Sequence, residues 1–200
     1  MEEQIKYIYR NIRGVNFQGK SEDLFIELQT IKDALNLTNV NMNHLKEAVP
    51  SLFGILGLRN LSGFVGEMFA TSFVESANGK LKKNPHQDGY PDILIMTNEG
   101  QELWNSLQEK LRDKGPFSNF ETGGIEVKAT IGSVPSAKEF RKKGLSKPGI
   151  GEERIEYVKG YDWKAHHRET NNLIGIFWDF VNGKPVICGL FYFTRVIRIG

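Results

Sequence analysis

Three residues in two short stretches have the types and spacing to do chemistry together. In GGIEVKAT, residues 123–130, Glu126 and Lys128 lie two positions apart on what reads as a strand. Their side chains therefore share one face while Ile125 and Val127 take the other. Asp92 follows Pro91 at the start of PDILIMT, a short apolar run closed by Asn98-Glu99-Gly100 that fits a buried strand. If the two strands are neighbours, two carboxylates and an ammonium converge at one edge of a sheet. Two carboxylates a few ångströms apart repel, and burying each costs several kcal/mol unless a cation compensates. Mg²⁺ is the expected compensation, because it takes oxygen ligands from one or two carboxylates, a carbonyl and waters. Lys128 then has a task beside it: to orient or help deprotonate an attacking water, or to steady charge that builds on a phosphate.

Pro91-Asp92, a spacer, then Glu126-Val127-Lys128 resembles the PD-(D/E)xK pattern of restriction-endonuclease-like nucleases. By that resemblance Asp92 and Glu126 would bind the metal, Val127 would lend its carbonyl, and Lys128 would assist the hydrolytic water. Many relatives in that superfamily carry a glutamate on a helix preceding the Asp, and Glu67 in GFVGEMFA matches it as a further catalytic candidate. Gly63, Ala70 and Thr71 lie one helical turn from Glu67. Gly66 costs about 1 kcal/mol in a helix relative to alanine, so its presence there predicts tight packing.

The elements that must position these residues follow from periodicity. In SEDLFIELQTIKDAL the spacing of Leu24, Leu28, Ile31 and Leu35 predicts a helix with Ser21 as N-cap. A second helix is expected over Asn43 to Val49, stopping at Pro50, and a third over SGFVGEMFATSFVES, capped by Ser62. Asn84 to Gly89 is turn chemistry. Between the two halves of the motif, Leu103, Trp104, Leu107 and Leu111 mark an amphipathic helix ended by Gly115-Pro116. NLIGIFWDF, a turn at Asn182-Gly183 and PVICGLFYFTRV predict a β-hairpin. Helices first, then strands mixed with helices, give an α/β expectation: a mixed central sheet flanked by helices, with a helical N-terminal part, as one nuclease domain over residues 1–200.

Two basic windows are candidates for DNA contact. KEFRKKGLSKP offers Lys138, Arg141, Lys142, Lys143 and Lys147 as phosphate clamps in a long loop after the Glu126 strand. YDWKAHHRETNN offers Lys164, His166, His167, Arg168, Thr170, Asn171 and Asn172, the mixed donor and acceptor content that a major-groove reader needs. The alternative for both is a solvated or capping role. A zinc site at His166 and His167 is disfavoured, since adjacent histidines on a strand point apart and Cys188 is the lone cysteine. His86 is open to DNA contact or to closing its turn.

The bulk numbers set the frame. A 200-residue chain with 40% hydrophobic residues can bury a proper core. A formal net charge of +2 makes any nucleic-acid surface local rather than global. One cysteine suits a reducing cytoplasm, the charged N-terminus lacks a signal-peptide core, and no apolar run approaches the roughly 20 residues that span a bilayer. The expectation is a cytoplasmic, Mg²⁺-dependent type II restriction endonuclease acting on double-stranded DNA as a homodimer. The rivals are a mismatch-nicking or junction-resolving nuclease with the same core, a non-catalytic DNA-binding module, and a metal-dependent hydrolase of small molecules.

Overall fold

The computed structural model describes residues 13–86, 88–118, 120–131 and 172–194. Two short strands open it, β1 (Gly14–Phe17) and β2 (Leu24–Glu27), paired antiparallel from Gly14↔Glu27 to Phe17↔Leu24. Three helices follow: α1 (Leu28–Ala48), α2 (Leu52–Ile55) and α3 (Leu58–Ser76). Then come β3 (Leu81–Lys83), β4 (Ile93–Ile95), α4 (Asn98–Ser106), the short α5 (Lys114–Phe117), β5 (Gly124–Ile131), β6 (Asn172–Val181) and β7 (Lys184–Thr194).

β3 to β7 form one sheet in chain order, antiparallel at every step except β5–β6, which is parallel. The mixed α/β expectation therefore holds. Alternation along β4, β5 and β6 sends Ile93, Ile95, Ile125, Val127, Ile174, Ile176 and Trp178 to one face. There they meet Leu61, Val65, Phe69 and Phe73 of α3, Ile31, Leu35 and Met42 of α1, and Phe17 and Ile26 of the small sheet. Leu94 points to the other face, where Met96, Leu107, Phe117 and Phe120 close a second apolar cluster with Leu103 and Trp104. The segment inserted between the two halves of the motif thus covers the second face of the sheet at β4.

The hairpin turn is as expected. Asn182 and Gly183 have φ of 52° and 72°, the left-handed pair that a two-residue hairpin loop demands. Other boundaries differ. Leu24 belongs to β2, the first helix begins at Leu28 after an extended Glu27, and Ser21 caps nothing. The expected helix at Asn43–Val49 is the end of the same 21-residue α1, since no breaker separates the two periodic stretches. The third helix starts four residues earlier than Ser62, at Leu58, and Ser62 Oγ instead accepts from Trp178 Nε1 at 3.1 Å. Gly115-Pro116 lies inside α5 rather than ending a helix; α4 stops at Ser106, and its cap is Thr97, whose side chain accepts from Gly100 N at 3.1 Å.

Candidate active site

The site forms where β4 leaves β5. Only two residue pairs join these strands, Ile93↔Ile125 and Leu94↔Gly124. One step further the register sets Asp92 opposite Glu126, on the face shared by Leu94. The backbone ladder cannot continue past that point, because Pro91 has no N–H to offer. The Asp92 side chain takes over: its Oδ2 accepts the Val127 N–H at 2.8 Å. Gly124 permits the close approach, since a Cβ there would lie 2.0 Å from Pro91 Cγ and 2.3 Å from the Ile93 carbonyl oxygen.

Glu126 is 1% exposed, buried between Asp92 and Leu173 of β6, its register partner. Lys128 follows two residues on, half-exposed, and its Nζ is ion-paired with Glu126 Oε1. Burial first, and then the neighbouring Asp92 charge, push the Glu126 carboxyl up to about 7, against the opposing pull of Lys128. Burial also raises Asp92, partly offset by its bond from Val127 N–H and by the charges of Lys128 and Lys83. Burial works to lower Lys128, but the Glu126 carboxylate, its hydrogen bond and Asp92 outweigh it, so the ammonium is held more firmly than in water. Tyr90 stands in the same field: burial and Glu126 raise its phenol, and Lys128 lowers it.

The spacing expectation is met at all three motif positions, which converge at one strand junction. Glu67 is placed differently. It lies on α3, which packs on the opposite face of β5, and its exposed carboxylate is ion-paired with Lys83 at 2.5 Å. Its charge nevertheless reaches Asp92 and raises it further. Gly66 corrects the tight-packing expectation: a Cβ there would sit 3.6 Å from Ala129 Cβ and 3.9 Å from Val127 Cγ1, ordinary contact distances.

Asn172 is a second correction. It is 1% exposed, and its amide accepts from Gln18 N at 2.8 Å and donates to Gln18 O at 2.8 Å and Gly124 O at 2.9 Å. Those bonds tie β6 to the small sheet and to the start of β5, and they leave no donor for a base edge. His86 closes its turn, with its Nδ1 accepting from Asp88 N at 3.1 Å. Lys138, Arg141, Lys142, Lys143, Lys147, Lys164, His166, His167, Arg168, Thr170 and Asn171 lie outside the described residues.

The donor set fits Mg²⁺. It is all oxygen, and it joins two carboxylates that burial holds above their ordinary pKa even with Lys128 beside them. Among the described residues no group of three or more His, Cys, Asp and Glu side chains gathers as metal donors. Two carboxylates suffice for an ion that keeps several waters and borrows substrate oxygens. Also among those residues, no helix is long and apolar enough to cross a membrane. Comparison with protein families, with curated proteins and with solved structures finds no match to this chain.

Proposed function

We propose that this chain is a Mg²⁺-dependent deoxyribonuclease of the PD-(D/E)xK kind, cutting double-stranded DNA as type II restriction endonucleases do. The observation that carries the reading is the junction at Asp92. Two acids that share a desolvated position, with an ammonium bonded to one of them, are costly to fold and useful to a hydrolase. In this reading Asp92 and Glu126 hold the metal with the Val127 carbonyl, and the bound ion supplies Lewis-acid neutralisation of the scissile phosphate. Lys128 stands on the half-exposed side of Glu126 and positions the water that attacks phosphorus in line with the leaving oxygen. Its firmly held proton makes it an orienting and charge-stabilising group rather than a general base. A homodimer reading a two-fold DNA site, each subunit cutting one strand, follows from the symmetry of duplex DNA. A cytoplasmic location suits the single cysteine.

The test is incubation of the protein with plasmid, phage and branched DNA, with and without Mg²⁺, followed by sequencing of fragment ends. Discrete Mg²⁺-dependent fragments from linear duplex are expected. Cutting confined to branched or mismatched substrate would move the assignment to a repair or recombination nuclease, and binding without cutting would leave a DNA-binding module. Lys128→Ala lowers turnover by about 10²-fold or more while DNA affinity stays near wild type. Unchanged turnover in that variant overturns the mechanism.

A further inference from the structure

Asp92 can act only if the chain delivers its carboxylate to the same spot in every molecule, and β4 is too short to do that alone. Three residues pair β4 with β3, and two pair it with β5. What holds the start of the strand is Asn84. Its backbone N–H donates to the Asp92 carbonyl at 3.0 Å, and its side-chain Nδ2 donates to the Pro91 carbonyl at 2.9 Å. The same Nδ2 donates to the Phe117 carbonyl at 2.9 Å, and Oδ1 accepts from His86 N at 3.0 Å. An asparagine amide has two donors and an acceptor on one plane, and here it uses both functions. Phe117 O also accepts from Tyr90 N at 2.7 Å, and Phe120 N donates to Tyr90 O at 3.3 Å. The turn that carries Asp92 is therefore fastened to the α5 segment on one side and to β3 on the other.

Gly89 makes room for this arrangement. A Cβ at that position would lie 2.4 Å from Asn84 Oδ1, 2.5 Å from Nδ2 and 2.6 Å from Cγ. Any other residue at 89 would displace the amide.

We propose that Asn84 is the positioning residue for Asp92: it fixes two successive carbonyls, Pro91 and Asp92, so that the Asp92 carboxylate stays on the Val127 N–H and beside Glu126. Its catalytic consequence rests on the nuclease reading; its mechanical part does not. Aspartate in its place keeps the shape and loses the two side-chain donations, to the Pro91 and Phe117 carbonyls. Alanine loses the acceptor as well, while the backbone N–H bond to the Asp92 carbonyl persists in both.

Amide hydrogen exchange, read residue by residue by NMR on the full chain, tests the mechanical part. Asn84→Asp and Asn84→Ala each accelerate exchange of the Val127 N–H by about tenfold, while Ile174 and Ile176 in β6 keep wild-type protection. Gly89→Ala, which leaves the asparagine present but displaced, gives the same local change. Unchanged Val127 exchange in all three variants overturns the proposal. So does loss of protection across β6 and β7, or failure of the variants to fold, because the role assigned is confined to the Asp92 turn. Where wild type cuts DNA, the same variants lower kcat about a hundredfold and leave KM and DNA affinity in Ca²⁺ unchanged. If wild type does not cut, the nuclease reading fails and the exchange experiment still decides on Asn84.

Discussion

The β6–β7 hairpin and the β4–β5 junction are both two-strand ladders, and they are held together by different means. The hairpin pairs continuously from Asn172↔Thr194 to Val181↔Lys184, interrupted once between Phe177 and Trp178, where Cys188 is the extra residue. Its cohesion is backbone bonding plus apolar packing against α3 and α1. The junction has two backbone pairs and one side-chain bond across it, Asp92 on the Val127 N–H, while Asn84 holds Pro91 from the β3 side and Asn172 holds Gly124 from β6. Regular pairing gives strength without leaving polar groups available. Where the pairing breaks, the Asp92 and Glu126 carboxylates stand together beside Lys128, bonded to the Val127 N–H and to the ammonium. Damage to the hairpin should cost the fold, whereas damage to the junction should cost whatever chemistry the proposed site performs and can leave the fold firmer.

The largest effect on stability belongs to the hairpin. Trp178 is wholly buried, donates from Nε1 to Ser62 Oγ, and meets Phe180 edge-on at 5.5 Å. Trp178→Ala removes the biggest side chain in the core and costs about 3–5 kcal/mol, a large share of the roughly 5–15 kcal/mol that holds a domain. Chemical denaturation should show a sharply lowered midpoint or no folded baseline. A midpoint within experimental error of wild type would remove the hairpin from its place in the comparison.

The junction should respond with the opposite sign, and pH reveals it. Glu126 titrates near 7 when folded and near its ordinary value of 4.5 when unfolded. Between those limits the folded chain binds more protons, so stability falls as pH rises through the window, by up to about 1.4 kcal/mol per unit. Asp92, raised by burial, adds to the same slope. Glu126→Gln removes one of the two raised carboxyls, so its unfolding free energy should fall less steeply than wild type from pH 5 to pH 7, keeping only the part due to Asp92, and exceed wild type at pH 7. Added Mg²⁺ should stabilise wild type at neutral pH and leave the variant unmoved. A wild-type curve that rises over this interval, measured by denaturation at several pH values, would mean that Glu126 is not strained by its surroundings.

What could be read from the sequence divides along the same line. Asn182-Gly183 was legible because the turn depends on two residues and their φ angles. The strand motif was legible because alternation places Glu126 and Lys128 together whatever their neighbours are. Leu24 is ambiguous in the sequence, because an apolar residue four positions before Leu28 suits either a helix or a strand. The choice was made by pairing with Phe17, a contact the local pattern does not encode. Asn172 shows the limit most plainly. Beside His166, His167 and Arg168 it reads as one more hydrogen-bonding group, yet its partners are Gln18 and Gly124, far away in the chain. Asn84 reads locally as turn chemistry, but its grip on Phe117 depends on how the inserted segment folds back, which no local pattern encodes.

The smallest expected effect sits between the two regions, on α3 beneath β5. Gly66 is a helical glycine facing Val127 and Ala129, and a tight contact there would have made it indispensable to the strand that carries Glu126 and Lys128. The spacing says otherwise: at 3.6 Å and 3.9 Å an added methyl touches its neighbours without displacing them. Gly66→Ala therefore gains helix propensity and a little buried area, about 0.5–1 kcal/mol of added stability, with an unchanged denaturant slope. Under the proposed nuclease reading, DNA cleavage should stay at the wild-type rate, because the methyl enters on the apolar face of β5 while Asp92, Glu126 and Lys128 occupy the other. A destabilised variant would show that α3 and β5 approach more closely than these distances allow. A stable variant with altered cleavage would show that the two faces of the strand are mechanically coupled, so that packing and chemistry could not be varied independently.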